Sequence, residues 1–425
     1  MPEILTPETL DLKKILKAGD NVLWGQACGE PQTLTEALVE QRSAVGPINV
    51  YLGACFTSTL KPEHSDYITM KGFGAVGTTR RLAKGGTLHI VPCHIGQVAS
   101  YIDQDIVPCD VAFLQVPPPL EDGTYSFGLI SDYTRSMVNK AHTVVVEVND
   151  QVPQTDCPDR LSPEDIDYLI RSSRSAPTLE SGPIGDLDRS IAKYVAEYIE
   201  DGSVLQIGIG AVPDAVMQLL LDRRDLGVHT GSVGDGLVVL IEKGVVTNAR
   251  KPIDRGVSIA GGLIGSQRLY SFAHRNPEIS MRPSSYTHSS DVLANIPKLV
   301  TINSALEIDL SGQVNAEQVG DAYVGGVGGQ PEFVRAGHRS KGGHSIMALS
   351  STAKRGTMSR ICAELTSPVV TSPRTDVDVV VTEHGAAELR GQCFAERAKR
   401  LIAIADPKFR EDLDRAAQVV YKRGY

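Results

Sequence analysis

Apolar residues in this chain come in short runs separated by turns rich in Gly and Pro. The stretch PETLDLKKILKAG within residues 1–20 reads as a short helix stopped by Gly19. Asn21-Val22-Leu23-Trp24 reads as a strand. It passes through Gly25 to Pro31 into a second helical pattern, QTLTEALVEQRS, with Pro31 suited to a first turn that needs no N–H. Further strands are expected at 48–54, 88–92, 110–116 and 143–148, with helical stretches between several of them. Strands alternating with helices predict α/β layering around a largely parallel sheet.

Residues 154–190 are richer in Pro, Ser, Asp and Gly and read as a connection holding one short helix at about 163–171. A new strand then opens at Ser203, with Pro213 and the helical pattern DAVMQLLLDRR behind it. The succession of strand, Gly-bearing turn, proline and helix at 21–40 thus returns at 203–221. DVAFLQVPPPLEDGTYSFG is echoed by LVTINSALEIDLSGQVNAE, and TVVVEVNDQVP by DVVVTEHGAAEL. The expectation is two diverged copies of one α/β unit, residues 1–185 and 186–425, with a site between them.

A length of 425 residues suits two such units. The 41% hydrophobic and 22% charged content is that of an ordinary globular protein. The formal charge of −9 argues against nucleic acid as a partner. With no apolar run of about 18 residues and no signal-like start, neither a membrane span nor export is expected, and the location read is the cytoplasm. The seven cysteines are odd in number and lack a CxxC pair, which suits reduced thiols. Cys93-His94 has no second ligand pair at zinc spacing, so no metal is expected.

Candidate chemistry concentrates in residues 301–345. Eight of the 40 glycines fall between Gly320 and Gly343, around the core Gly325-Gly326-Val327-Gly328-Gly329-Gln330. Bare N–H groups in such a turn suit an anion or a tetrahedral oxyanion, and Arg335, Arg339 and Lys341 add positive charge; an ordinary Gly-rich surface loop is the alternative. Gln206-Ile207-Gly208-Ile209-Gly210 stands before a helix start that suits a phosphate or carboxylate. As a dinucleotide motif it is weak, since Pro213 replaces the third glycine. His229 is a candidate acid or base or a packed histidine, and Asn303 and Gln330 are candidates for orienting a ligand or for capping. There is no GxSxG elbow for a serine nucleophile.

The segments INSALEIDLSGQVNAEQVG, GGVGGQPEFVRAG, SKGGHSI, VVVTEHGAAELRG (379–391) and AERAKRLIAIADPKFREDL (395–413), with Asp110 to Pro119 upstream, resemble the acetyl-CoA hydrolase/transferase family over nearly the whole chain. The resemblance implies two similar CoA-transferase-type domains with mainly parallel sheets and an active site at their interface. It implies acyl-CoA and a small carboxylic acid such as acetate as reactants, no permanently bound cofactor, and a homo-oligomer, a dimer being expected. It places CoA against Gln206, Ile207, Gly208, Ile209 and Gly210, against the glycine loop at Gly326, Gly328 and Gly329, and against Lys341. The family's HTE…SDG motif supplies a glutamate nucleophile. Here the text is His229-Thr230-Gly231-Ser232-Val233-Gly234-Asp235-Gly236, and the glutamate is absent. Three expectations follow. Glu30 or Glu383 serves instead; or empty space at Gly231 admits water or a larger acyl group; or acyl-CoA binds without turnover.

Overall fold

The computed structural model describes residues 2–422 and contains two eight-stranded sheets. The first is built from β1 (Glu3–Leu5), β2 (Asn21–Trp24), β3 (Ile48–Leu52), β4 (Ile68–Gly72), β5 (Leu88–Ile90), β6 (Val111–Val116), β7 (Thr143–Asn149) and β8 (Tyr168–Ser172). The strand order is β1-β8-β7-β6-β2-β3-β4-β5, parallel throughout. The second uses β9 (Val204–Ile207), β10 (Gly227–Val233), β11 (Ser258–Leu263), β12 (Ile279–Met281), β13 (Leu299–Asn303), β14 (His344–Ala348), β15 (Val379–Thr382) and β16 (Gly385–Glu388). Its order is β12-β11-β10-β9-β13-β14-β15-β16, parallel except for the β15–β16 hairpin.

One winding rule generates both sheets. From β2 the chain steps outward through β3, β4 and β5, then returns to the other side of β2 and steps outward through β6, β7 and β8. From β9 it does the same through β10, β11 and β12, then β13, β14 and β15. The internal repeat read from the sequence is therefore present, with β2 matching β9 and β6 matching β13. One rhyme is corrected. By place in the sheet, TVVVEVN in β7 corresponds to β14, whereas VVVT in β15 corresponds to β8. Both rhyming segments are central strands buried on two faces, and such strands converge on Val-rich runs whatever their order.

Two expected helices are absent. Residues 3–5 form β1 on the edge of the first sheet, and only Leu12–Lys14 makes a single 3₁₀ turn, capped by Asp11. Leu10, Leu12, Ile15 and Leu16 are nonetheless buried, so the apolar spacing was satisfied by packing a coil. The expected helix at 163–171 is a 3₁₀ turn at Pro163–Asp165 followed by β8, whose pairing with β7 and β1 outweighs local helical preference.

The halves are joined by packing and by main-chain bonds. Ala27, Cys28, Leu129 and Ile130 share a core with Ala260 and Leu263. Ser131 N–H donates to Gly261 O (2.9 Å), Leu263 N–H to Leu129 O (2.8 Å) and Met281 N–H to Asp156 O (2.7 Å). Among the described residues no helix is long and apolar enough to cross a membrane. All seven cysteines are free thiols.

Candidate active site

In an open α/β sheet a ligand crevice forms outside the carboxyl ends of the strands, where the strand order reverses. Here that switch lies between β2 and β6 in one sheet and between β9 and β13 in the other. A cleft of about 250 Å3 lies where turns at these ends meet. The first half supplies Gln26, Ala27, Gly53, Ala54, Phe73, Gly74, Val76, Cys93, Ile95, Ile130 and Asp132, which follow β2 to β6. The second supplies Gly231, Ser232, Gly262, Ile264 and His288, together with Gly326, Gly328 and Gly329.

The glycine loop reaches the cleft by docking on the other half. Gly325 O accepts from Ala75 N–H (2.6 Å) and Gly328 O from Ile95 N–H (3.0 Å). Glycine is needed for this approach: a Cβ on Gly74 would stand 2.9 Å from Gly326 Cα, and one on Gly325 would stand 2.2 Å from Ala316 O. The helix Gln330–Arg339 then starts at the cleft wall. Gln330 donates to Ser304 O (2.6 Å) and accepts from Ser372 Oγ (3.2 Å), so its side chain braces the loop.

Gly231 lines the cleft as the family motif implies, but the space beside it is not empty. A Cβ there would meet His288 Cε1 at 2.9 Å and Nε2 at 3.0 Å. The His288 ring is held by Thr287 Oγ1 at Nδ1 (2.8 Å) and lies against Phe333 with centroids 4.5 Å apart. Burial pushes its pKa down to about 3, so it is neutral. Gly231 thus opens onto the cleft, while an imidazole stands in the direction in which a Cβ would project.

Among the described residues Asp132 is the only carboxylate lining this cleft, and sequence reasoning missed it. It is 5% exposed, and burial raises its pKa to about 6, a shift reduced by the Gln26 hydrogen bond. Gln26 Nε2 donates to Asp132 Oδ2 (2.5 Å), and Gln26 Oε1 accepts from Ala54 N–H (3.1 Å), which orients the amide. Oδ1 lies beside β11: a Cβ on Gly261 would stand 2.5 Å from it and 2.9 Å from Gly231 O. The next residue, Tyr133, keeps a buried hydroxyl with no hydrogen-bond partner among the described residues, 2.9 Å from where a Gly53 Cβ would be. The one signal in the sequence was position, since SDYT follows β6 at the switch.

The other sequence-predicted residues disperse. Glu30 is buried and does not line the cleft, accepting from Thr35 (2.8 Å) and Thr57 (2.5 Å), and burial raises its pKa. Glu383 accepts from Ser351 N–H (2.8 Å) and Oγ (2.6 Å) just after β15 and does not line the cleft. His229 is fully buried outside the cleft, with Nε2 3.2 Å from Thr287 O, and burial lowers its pKa to about 4. Gln206 accepts from Asn303 (3.0 Å) at the end of β9. Beyond the buried Ile207, the turn Gly208-Ile209-Gly210 is half-buried, and a Cβ on Gly208 or Gly210 would touch nothing within 4 Å. That turn adjoins the cleft, because Ile209 and the carbonyl of the lining residue Ile264 both flank Gly234. Lys341 is exposed in the turn before β14, at the opposite edge of the sheet from the strand ends that form the cleft.

Residues 6–176 match the acetyl-CoA hydrolase/transferase N-terminal domain and residues 265–417 the C-terminal domain. A 4-hydroxybutyrate coenzyme A transferase of Clostridium kluyveri is 37% identical over 395 residues, covering 92% of each chain. The chain belongs to the acetyl-CoA hydrolase/transferase family. A succinyl-CoA:cyclohexane-1-carboxylate CoA transferase of Geobacter metallireducens is 36% identical, covering 95% of this chain and 93% of its own. In structure, this family member is similar to RipA from Yersinia pestis, with a TM-score of 0.91, 32% identity and coverage of 99% and 97%.

Proposed function

We propose that the protein acts on the thioester of a small carboxylic acid with coenzyme A, either moving CoA to an acid acceptor or releasing it to water. The observation that supports this most directly is the cleft between paired strand ends, lined by Gly326, Gly328 and Gly329 on one side and Asp132 on the other. In this reading the bare loop lets the thioester carbonyl approach the main chain, whose amides face the developing oxyanion. The open turn Gly208-Ile209-Gly210 at the start of helix Ala211–Gln218 takes the polar part of CoA. The cleft holds less than the roughly 300–1,000 Å3 usual for a whole ligand, so it receives only the acyl end and part of the pantetheine arm. The units 1–185 and 186–425 act together as one site in a cytoplasmic homo-oligomer that needs no permanent cofactor. Binding without turnover is a second reading, favoured by the missing side chain at Gly231.

Incubation with a panel of acyl-CoA thioesters, with and without acetate, separates these readings. Labelled acetate appearing as thioester marks transfer, free thiol without acetate marks hydrolysis, and saturable calorimetric binding with neither marks a binding protein. No binding of any thioester overturns all three. Light scattering reads the assembly state.

A further inference from the structure

Resting on the acyl-CoA reading, we propose that Asp132 is the general base of this enzyme and that the acyl acceptor it activates is water. The family's attacking position, Gly231, carries no side chain, and His288 fills the space one would enter. That leaves, among the described residues, a single carboxylate in the cleft wall, and it belongs to the opposite half of the molecule. Its side chain is short and held. Gln26 grips Oδ2, the Gln26 amide is itself fixed by Ala54 N–H, and Oδ1 lies against β11 at Gly261. A carboxylate gripped this way is placed to take a proton from a bound water, whereas forming an acyl anhydride would require it to leave the wall and approach the carbonyl itself.

In the step so assigned, the water oxygen bonds to the thioester carbonyl carbon as Asp132 takes one water proton. The tetrahedral intermediate then collapses, the C–S bond breaks with its electron pair going to sulfur, and the proton on Asp132 returns to the departing CoA thiolate. The products are the free acid and CoA thiol, and Asp132 is again ionised. The titratable groups around Asp132 are Tyr133 beside it, Cys93 after β5 and His288 after β12. Burial lifts Cys93 to about 11, raises Tyr133 well above its usual value and leaves His288 neutral, so none of them changes charge near neutrality. Among the described residues no Lys or Arg lines the cleft to hold Asp132 at an ordinary carboxylate pKa. Burial places its ionisation near pH 6, which suits a base working around neutrality.

The test uses the full chain with acetyl-CoA and butyryl-CoA, following thiol release with and without acetate. For the wild type, release without acetate is expected, with kcat/KM rising through an apparent pKa near 6. Asp132→Asn, which keeps the shape and the Gln26 contact, is expected to lose about 10²-fold or more in kcat, to keep calorimetric affinity for acetyl-CoA and to lose the pH step. Gln26→Leu is expected to move that apparent pKa upward, which a purely structural role would not do. Equal turnover by wild type and Asp132→Asn overturns the assignment alone. So does an acyl or CoA adduct on Asp132 found by hydroxylamine or borohydride trapping and mass spectrometry. Wild type that carries labelled acetate into thioester without releasing thiol overturns this assignment and leaves the functional reading standing, whereas wild type that binds acetyl-CoA and does neither overturns both.

Discussion

At the scale of single residues, the cleft is decided by what surrounds each side chain rather than by its identity. Gly231 sits in a regular strand, β10, so space and not backbone conformation opposes a side chain there. Gly231→Glu alone is expected to lower the melting temperature and to produce no transfer of CoA to labelled acetate, because the new Cβ meets the packed His288 ring. Gly231→Glu combined with His288→Ala removes that clash, so the melting temperature recovers and labelled thioester becomes detectable. Glu332, on helix Gln330–Arg339, offers a separate test. Burial raises its pKa from 4.5 to about 7, opposed only by the Gly96 N–H (3.3 Å). The folded state therefore holds this proton more tightly than the unfolded chain. The associated stability is complete below pH 4.5 and is lost as pH rises through 7. Glu332→Gln is expected to match the wild type near pH 4 and to exceed it by up to about 3 kcal/mol at pH 8, read by denaturant titration at both pH values.

At the scale of elements, the glycine loop is the part most exposed to steric change. Its density of glycine marked it in the sequence, and the structure supplies the reason at particular atoms: Gly325 passes Ala316 O, and Gly326 passes Gly74. Gly325→Ala must push the loop off Ala75 and Ile95. A displacement of this kind at a reacting centre costs on the order of 10²-fold in rate, and thiol release should fall accordingly, with the melting temperature lowered as well by the lost main-chain hydrogen bonds to Ala75 and Ile95. The Asn303–Gln206 and Gln330–Ser304 contacts were legible only as residue types that cap or orient; which partner each found required the fold. Lys341 followed the motif in sequence, yet the intervening helix carries the chain across the sheet and returns Lys341 to the start of β14.

At the scale of the whole molecule, two sheets of one topology meet by their carboxyl ends, and the seam is both core and site. Ile130 is 4% exposed, bridges to Gly262 and packs against Gly29. Ile130→Ala is expected to destabilise the fold by about 2–5 kcal/mol in urea and to raise the KM for acetyl-CoA, since the residue lines the cleft as well. A single unfolding transition seen by both tyrosine fluorescence and circular dichroism would reflect the core shared across the halves.

The α/β alternation, the internal repeat, the glycine loop and the family were all written in the linear chain, because each depends on spacing along it. The edge strand at Glu3–Leu5 and β8 were not, since a strand at the margin of a sheet is defined by its neighbour's hydrogen bonds more than by its own pattern. The chemistry of the cleft lay further out of reach. Asp132 and Gly231 stand 99 positions apart in sequence, and His288 a further 57 from Gly231. Only the folded seam brings an aspartate, an absent glutamate and an imidazole to one place, where burial then sets their charge.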